Sequence, residues 1–170
     1  YQGDELGLPH ADVPFERLRD PEAIAFWPSG IGRDGARTPM PWEKAAPMAG
    51  FTNAVDTWLP IDARHGALAV DAQQGDTESV LNFTRKVLAL RKSHRALRDG
   101  AISRVSDAEA MLSFGRDANG ESLLCLFNLG DAPCRAALPP TKDALLRVGD
   151  VDVSDGAAQF GGYSALIVAT

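Results

Sequence analysis

The apolar period of this chain changes twice, and those two changes constrain its fold more than any other feature. Over residues 1–75 neither a helical nor an alternating period is sustained. Pro9, Pro14, Pro21, Pro28, Gly30, Gly32, Gly35, Pro39, Pro41, Pro47, Gly50, Pro60, Gly66 and Gly75 interrupt the run. A helical period then holds from about Asp76 to Arg98, and a strand period from Ala101 onward. An irregular stretch as long as the first one belongs to a functional region, or to one shaped by a partner surface.

Within the first stretch, Arg17 to Phe26 has the makings of a short helix, with Asp20 as cap and Pro21 in its first turn. The long helix has Asp76 as N-cap, and Glu78 suits the positive end of its dipole. Val80, Phe83, Val87 and Leu90 repeat at helical spacing, and Leu81 and Leu88 widen the stripe. Arg85, Lys86, Arg91, Lys92, Arg95 and Arg98 crowd its carboxyl-terminal half as a solvated face that complements the dipole. Gly100 is expected to end it in a left-handed turn. After Gly100 the expected strands are Ala101–Val105, Ala110–Gly115, Ser122–Asn128, Cys134–Leu138, Ala144–Val148 and Tyr163–Ala169. Asp117-Ala118-Asn119-Gly120 and Gly130-Asp131 are hairpin signals. Residues 122–127 are apolar on both faces, which predicts a central strand of a small antiparallel sandwich.

The densest chemistry lies in Gly32-Arg33-Asp34-Gly35-Ala36-Arg37-Thr38-Pro39-Met40-Pro41-Trp42. Two arginines bracket an aspartate, and each presents a planar fork of donors suited to carboxylates and hydroxyls. Pro39 and Pro41 push Thr38 and Met40 into extended conformations, so the segment is stiff and irregular. Two uses fit these residues. One is structural: an ion pair beside a packed tryptophan. The other is a rigid loop that offers cations to a ligand.

Composition removes several classes. A net charge of −6 gives no basic footprint for nucleic acid. No run approaches the roughly 20 apolar residues of a membrane span. No charged-then-apolar leader opens the chain, which begins on Tyr1 and is read as the carboxyl-terminal part of something longer. If Gly130-Asp131 closes a hairpin, Cys125 faces Ala136 and Cys134 faces Phe127. The thiols are then diagonal neighbours about 7–8 Å apart, against the roughly 3.5–4.5 Å a disulfide needs. Both are therefore expected to be reduced, in a cytoplasmic protein. His10, His65 and His94 are scattered, and no metal or cofactor is expected.

Tyr1-Gln2-Gly3-Asp4-Glu5-Leu6-Gly7, followed by the Gly32–Trp42 segment and by Trp58-Leu59-Pro60, resembles the α-glucosidase and oligo-1,6-glucosidase group of the α-amylase family of glycoside hydrolases. The resemblance implies an α+β fragment: residues 1–99 as the end of a (β/α)8 barrel, with its last loop and helix, and residues 100–170 as an antiparallel β-sandwich. It implies that the helix stripe lies on barrel strands, so the remainder of the barrel is one partner and an α-glucoside or oligosaccharide substrate the other. It also implies that Arg33, with an aspartate from an early loop, grips the terminal glucose. Arg37 is the second candidate. Asp34 is expected to orient an arginine rather than touch sugar, and Trp42 either stacks on a sugar or packs.

Retaining glycosidases need two carboxyl groups about 5–5.5 Å apart. Asp4 and Glu5 are adjacent, so on a strand they would diverge. In the resembled family the catalytic acids come from earlier strands, so none maps here, and the chain alone is expected to be inactive. Phe26-Trp27-Pro28 lies in a segment shorter than in oligo-1,6-glucosidases, which leaves linkage, substrate and acceptor (water or sugar) open. The rival is a non-catalytic β-sandwich that binds carbohydrate or serves structure. It would need a flat aromatic platform from Phe114, Phe127, Phe160 and Tyr163.

Overall fold

A computed structural model describes residues 1–30, 32–108 and 110–170. The chain divides into two compact units, Tyr1–Val87 and Leu88–Thr170.

In the first unit regular structure is sparse. Helix α1 spans Pro21–Ala25, α2 spans Val70–Gln74, and α3 spans Val80–Ser93 and runs into the second unit. Short helical turns occupy Asp4–Leu6, Phe15–Arg17, Asp34–Ala36, Pro47–Gly50 and Ala63–Leu68. The expected helix from Arg17 to Phe26 is thus a turn and then α1. Asp20 caps α1 by accepting from the Glu22 amide, and Pro21 fills the position where no amide is needed. Asp4 and Glu5 lie in a turn between left-handed Gly3 and Gly7, not on a strand. Glu5 folds back to accept from the Gly3 amide at 2.8 Å.

Two small apolar clusters hold this unit. One is Val13, Leu18, Ala23 and Leu59; the other is Leu6, Met40 and Leu81, with Leu8 and Val70 against it. Buried amides do the rest. Gln73 Nε2 donates to the Leu6 and Leu68 carbonyls at 2.9 and 2.8 Å, and its Oε1 accepts from the Leu81 amide at 3.0 Å. One side chain therefore fastens three segments, and segments fastened by side-chain amides show no apolar period.

The long helix begins later and breaks sooner than its period predicts. Asp76 caps a preceding turn through the Glu78 amide, and Ser79 is the acceptor for Asn82 at the start of α3. At His94 the backbone is extended, and a separate helix α4 covers Arg95–Asp99. The break is fixed from outside the helix: Glu121 accepts from His94 Nδ1 at 2.5 Å and from the Ala96 amide at 2.7 Å. Arg91 and Arg98 donate to the Leu97 and Lys92 carbonyls across the break. Gly100 is not left-handed. Its φ is −66°, and a Cβ there would lie 2.3 Å from the Ala96 carbonyl oxygen. The position requires glycine for close approach, not for handedness. Of the stripe on α3, Leu81 is buried while Val80, Phe83 and Leu88 are exposed.

The rest of the second unit is an antiparallel two-sheet sandwich. Strands β1 (Ala101–Ala108), β2 (Met111–Ala118), β3 (Glu121–Asn128), β5 (Ala144–Val148) and β8 (Ser164–Ala169) form one sheet in the order β1-β2-β3-β8-β5. Strands β4 (Cys134–Ala137), β6 (Val151–Ser154) and β7 (Ala157–Phe160) form the other, in the order β4-β7-β6. The doubly apolar β3 is the central strand, as its sequence predicts. Leu126, Leu166 and Val168 from one sheet meet Ala158 and Phe160 from the other in the core.

Asn119 and Gly120 close the β2–β3 hairpin with φ of 49° and 82°, values that suit Asn-Gly. The expected hairpin at Gly130-Asp131 does not form. Cys125 pairs with Phe114 and Ile167, whereas Cys134 pairs with Phe160 in the opposite sheet. Buried Asn128 drives the crossover by donating to the Ala132 and Gly161 carbonyls at 2.8 Å each and accepting from the Gly130 amide. Neither cysteine is in a disulfide.

Candidate functional site

Asp34 is the root of the Gly32–Trp42 segment. Its side chain is buried, and Oδ2 accepts from the Arg19 and Asp20 amides at 2.6 and 2.8 Å. Oδ1 is buried with no partner among the described residues. Asp34 therefore makes no hydrogen bond to either neighbouring guanidinium; it orients the backbone that carries Asp20.

Asp20 then holds Arg33. The carboxylate, fully buried, accepts from the Arg33 amide at 2.8 Å, from Nε at 2.9 Å and from Nη2 at 2.6 Å. With the Glu22 amide, this engages all of the roughly four acceptor positions a carboxylate has. Hydrogen bonds from the Arg33 side chain hold the Asp20 carboxyl far below the usual range, and Asp20 in turn raises Arg33. The Arg33 side chain nevertheless stays 58% exposed. Gly32 makes the approach possible. It has φ of 64°, and a Cβ there would sit 2.4 Å from that of Ala23.

Arg37, four residues on, lines a cavity of about 400 Å³ together with Tyr1, Asp4, His10, Trp58 and His65. That volume falls within the roughly 300–1,000 Å³ of small-molecule sites. Its guanidinium has no hydrogen bond or ion pair to another described residue. Gly35 lies beneath His10 so closely that a Cβ would stand 2.2 Å from His10 Nε2. His65 is buried, and its Nε2 lies 2.8 Å from the Pro9 carbonyl. A carbonyl only accepts, so Nε2 carries a proton, and Nδ1 is buried without a described partner.

Arg33 and Arg37 share a loop, but Arg33 is absent from the lining of this cavity. A second cavity, of about 450 Å³, is lined by His10, Asp12, Leu18, Trp27 and Pro28, among others. Trp27 is 48% exposed there, and its ring lies 5.7 Å from that of Phe15. Trp42 is half exposed. Nothing in residue type or spacing marks His10, His65 or Trp58 as cavity residues, beyond the place of Trp58 in Trp58-Leu59-Pro60. Among the described residues no three His, Cys, Asp or Glu side chains gather to hold a metal. No helix among them is long and apolar enough to cross a membrane. In the sandwich Phe160 is buried and Phe114 stacks on Phe127 at 5.8 Å, so of the four aromatics only Tyr163 is largely exposed.

The profile of the α-amylase catalytic domain matches residues 1–100. The chain belongs to the α-amylase family. Among relatives, it is 45% identical over 139 residues to a probable α-glucosidase of Rhizobium meliloti (strain 1021), covering 82% of this chain and 25% of that one. It is 28% identical over 179 residues to the oligo-1,6-glucosidase of Parageobacillus thermoglucosidasius, covering 91% and 32%. The crystal structure of the α-glucosyl transfer enzyme XgtA superposes with a TM-score of 0.85 at 42% identity, covering 99% of this chain and 32% of that one. The chain therefore spans about a quarter to a third of the length of these proteins. Its fold is the end of a (β/α)8 barrel followed by an antiparallel β-sandwich, with the family profile ending at residue 100.

Proposed function

We propose that this chain is the carboxyl-terminal part of an exo-acting, retaining α-glucosidase that cleaves α-glucosidic bonds of short oligosaccharides or sucrose-like sugars. The chain contributes substrate-pocket wall and barrel support, and the catalytic carboxyl groups lie on other parts of the intact enzyme. Residues 1–99 complete the barrel and residues 100–170 form the sandwich domain, a division supported by the reach of the family profile. The exposed Val80, Phe83 and Leu88 are the face that the remaining barrel strands cover. The thiols of Cys125 and Cys134 suit a cytoplasmic enzyme.

In this reading Arg33 donates to the hydroxyls of the terminal glucose, and Arg37 lines the cavity of about 400 Å³. Asp34 fixes the backbone that carries Asp20, the partner of Arg33. The observation that carries it is the Arg33 guanidinium: clamped along one edge by a buried carboxylate, yet more than half exposed. A cation fixed on one side and open on the other is prepared for a polar ligand, because its rotamer entropy is lost before the ligand arrives.

The test is Arg33→Ala in the intact enzyme, assayed with p-nitrophenyl α-glucoside. We expect kcat/KM to fall about a hundredfold, the scale on which lost positioning acts; a fall below about threefold would refute the assignment. The 170-residue chain by itself is expected to release no nitrophenol.

A further inference from the structure

We propose that Asp20 is a positioning residue for substrate recognition: its buried carboxylate selects the one orientation of Arg33 that presents three free N–H groups to the sugar. This rests on the substrate role of Arg33 given above. The bond is side-on. Asp20 takes Nε–H and one Nη2–H of the guanidinium, and a further bond holds the Arg33 backbone amide. Both N–H groups of Nη1 and the second of Nη2 have no partner among the described residues. One N–H of Nη1 and the second of Nη2 form the end-on edge of the fork, whose spacing matches two neighbouring hydroxyl oxygens, or one hydroxyl and one carboxylate.

Asp20 is itself immobile. It caps α1 through the Glu22 amide, its own amide is held by Asp34, and its side chain is fully buried. An exposed arginine without such a clamp would sample many rotamers. The clamp also explains why the chain turns through a left-handed glycine at position 32, immediately before Arg33.

The experiment is a double-mutant cycle in the intact enzyme with p-nitrophenyl α-glucoside. It uses the parent, D20N, R33A and D20N/R33A, with thermal midpoints recorded alongside. If Asp20 acts through Arg33, D20N lowers kcat/KM by roughly tenfold or more in the parent and by less than about twofold in the R33A background. A loss of the same factor in both backgrounds means a merely structural role and overturns the proposal.

The R33A variant read alone reports on the substrate role of Arg33, so failure of that reading is seen separately. Rescue supplies a second measure. Ethylguanidinium should restore activity to R33A but not to D20N/R33A, and equal rescue of both would refute positioning by Asp20. Should D20N fail to fold, Asp20→Glu, which keeps the charge but moves it by one methylene, takes its place in the same cycle.

Discussion

The clearest perturbation is Asp34→Ala. In the native protein Asp34 Oδ2 satisfies the Arg19 and Asp20 amides at 2.6 and 2.8 Å, the latter bond being buried. Truncation to alanine removes the one oxygen that both amides use. A buried donor without a partner costs about 1–3 kcal/mol. The bond to Arg19 is only part-buried, so that amide regains some hydration, and deletion of the orphan Oδ1 offsets a little more. The expected loss is about 2–4 kcal/mol. Asp34→Asn keeps a carbonyl acceptor for both amides and is expected to cost about 1 kcal/mol. Urea unfolding followed by tryptophan fluorescence is the assay, because Trp27, Trp42 and Trp58 all lie in the first unit. With a slope of about 1–3 kcal/mol/M, the alanine variant should unfold roughly 1–2 M earlier than the parent. A shift equivalent to less than about 0.5 kcal/mol, or an asparagine variant as weak as the alanine one, would refute the reasoning, since the first denies the acceptor role and the second makes charge decisive.

Gly35→Ala forces a methyl to within 2.2 Å of His10 Nε2 and 2.4 Å of the Ala11 carbonyl oxygen; it should lower the fluorescence-detected midpoint and raise KM more than Asp34→Asn does. Phe160→Ala opens the sandwich core at a residue 1% exposed, and should cost about 3–5 kcal/mol in far-UV circular dichroism melts. The Glu121 carboxyl is held below its ordinary value, first by the Ala96 amide and then by His94. Its stabilisation is present above the unfolded carboxyl value of about 4.3 and disappears as pH falls through the lower folded one. Thermal midpoints measured from pH 6 down to 3 should therefore fall more steeply in the parent than in Glu121→Gln. Burial pushes the Cys125 thiol up to about 11, so iodoacetamide at pH 8 should leave it unmodified until the sandwich unfolds, which mass spectrometry of the peptide would show.

Features written in local chemistry were legible in the sequence. Asp20-Pro21 announces a capped helix start, Asn119-Gly120 a two-residue hairpin, and the run from Ser122 to Phe127 a central strand; each depends on residues next to one another. What stayed hidden depends on partners far away. Strands β6 and β7 are an exception: Val151–Ser154 and Ala157–Phe160 are too short to show a period, yet the Asp155-Gly156 turn between them is a local hairpin signal like Asn119-Gly120. The break at His94 is imposed by Glu121, twenty-seven residues on. At the site, Arg33, Asp34 and Arg37 stood out by residue type. That Asp34 grips backbone, and that Asp20 is the carboxylate at Arg33, required the chain to fold back over thirteen residues. Nothing in three scattered histidines marks His65 as a buried residue of the cavity that Arg37 lines.

The carboxylate at position 20 stands where the segment from Pro21 to Gly30 departs, and it grasps the chain again at Arg33, just after that segment returns. Both feet of the excursion are thus bolted to one post, while Phe26 and Trp27 ride at its far end. The bonds that fix the arginine at its foot involve no residue of that tip. Changes of residue at that tip therefore leave the donors and acceptors of the clamp itself in place.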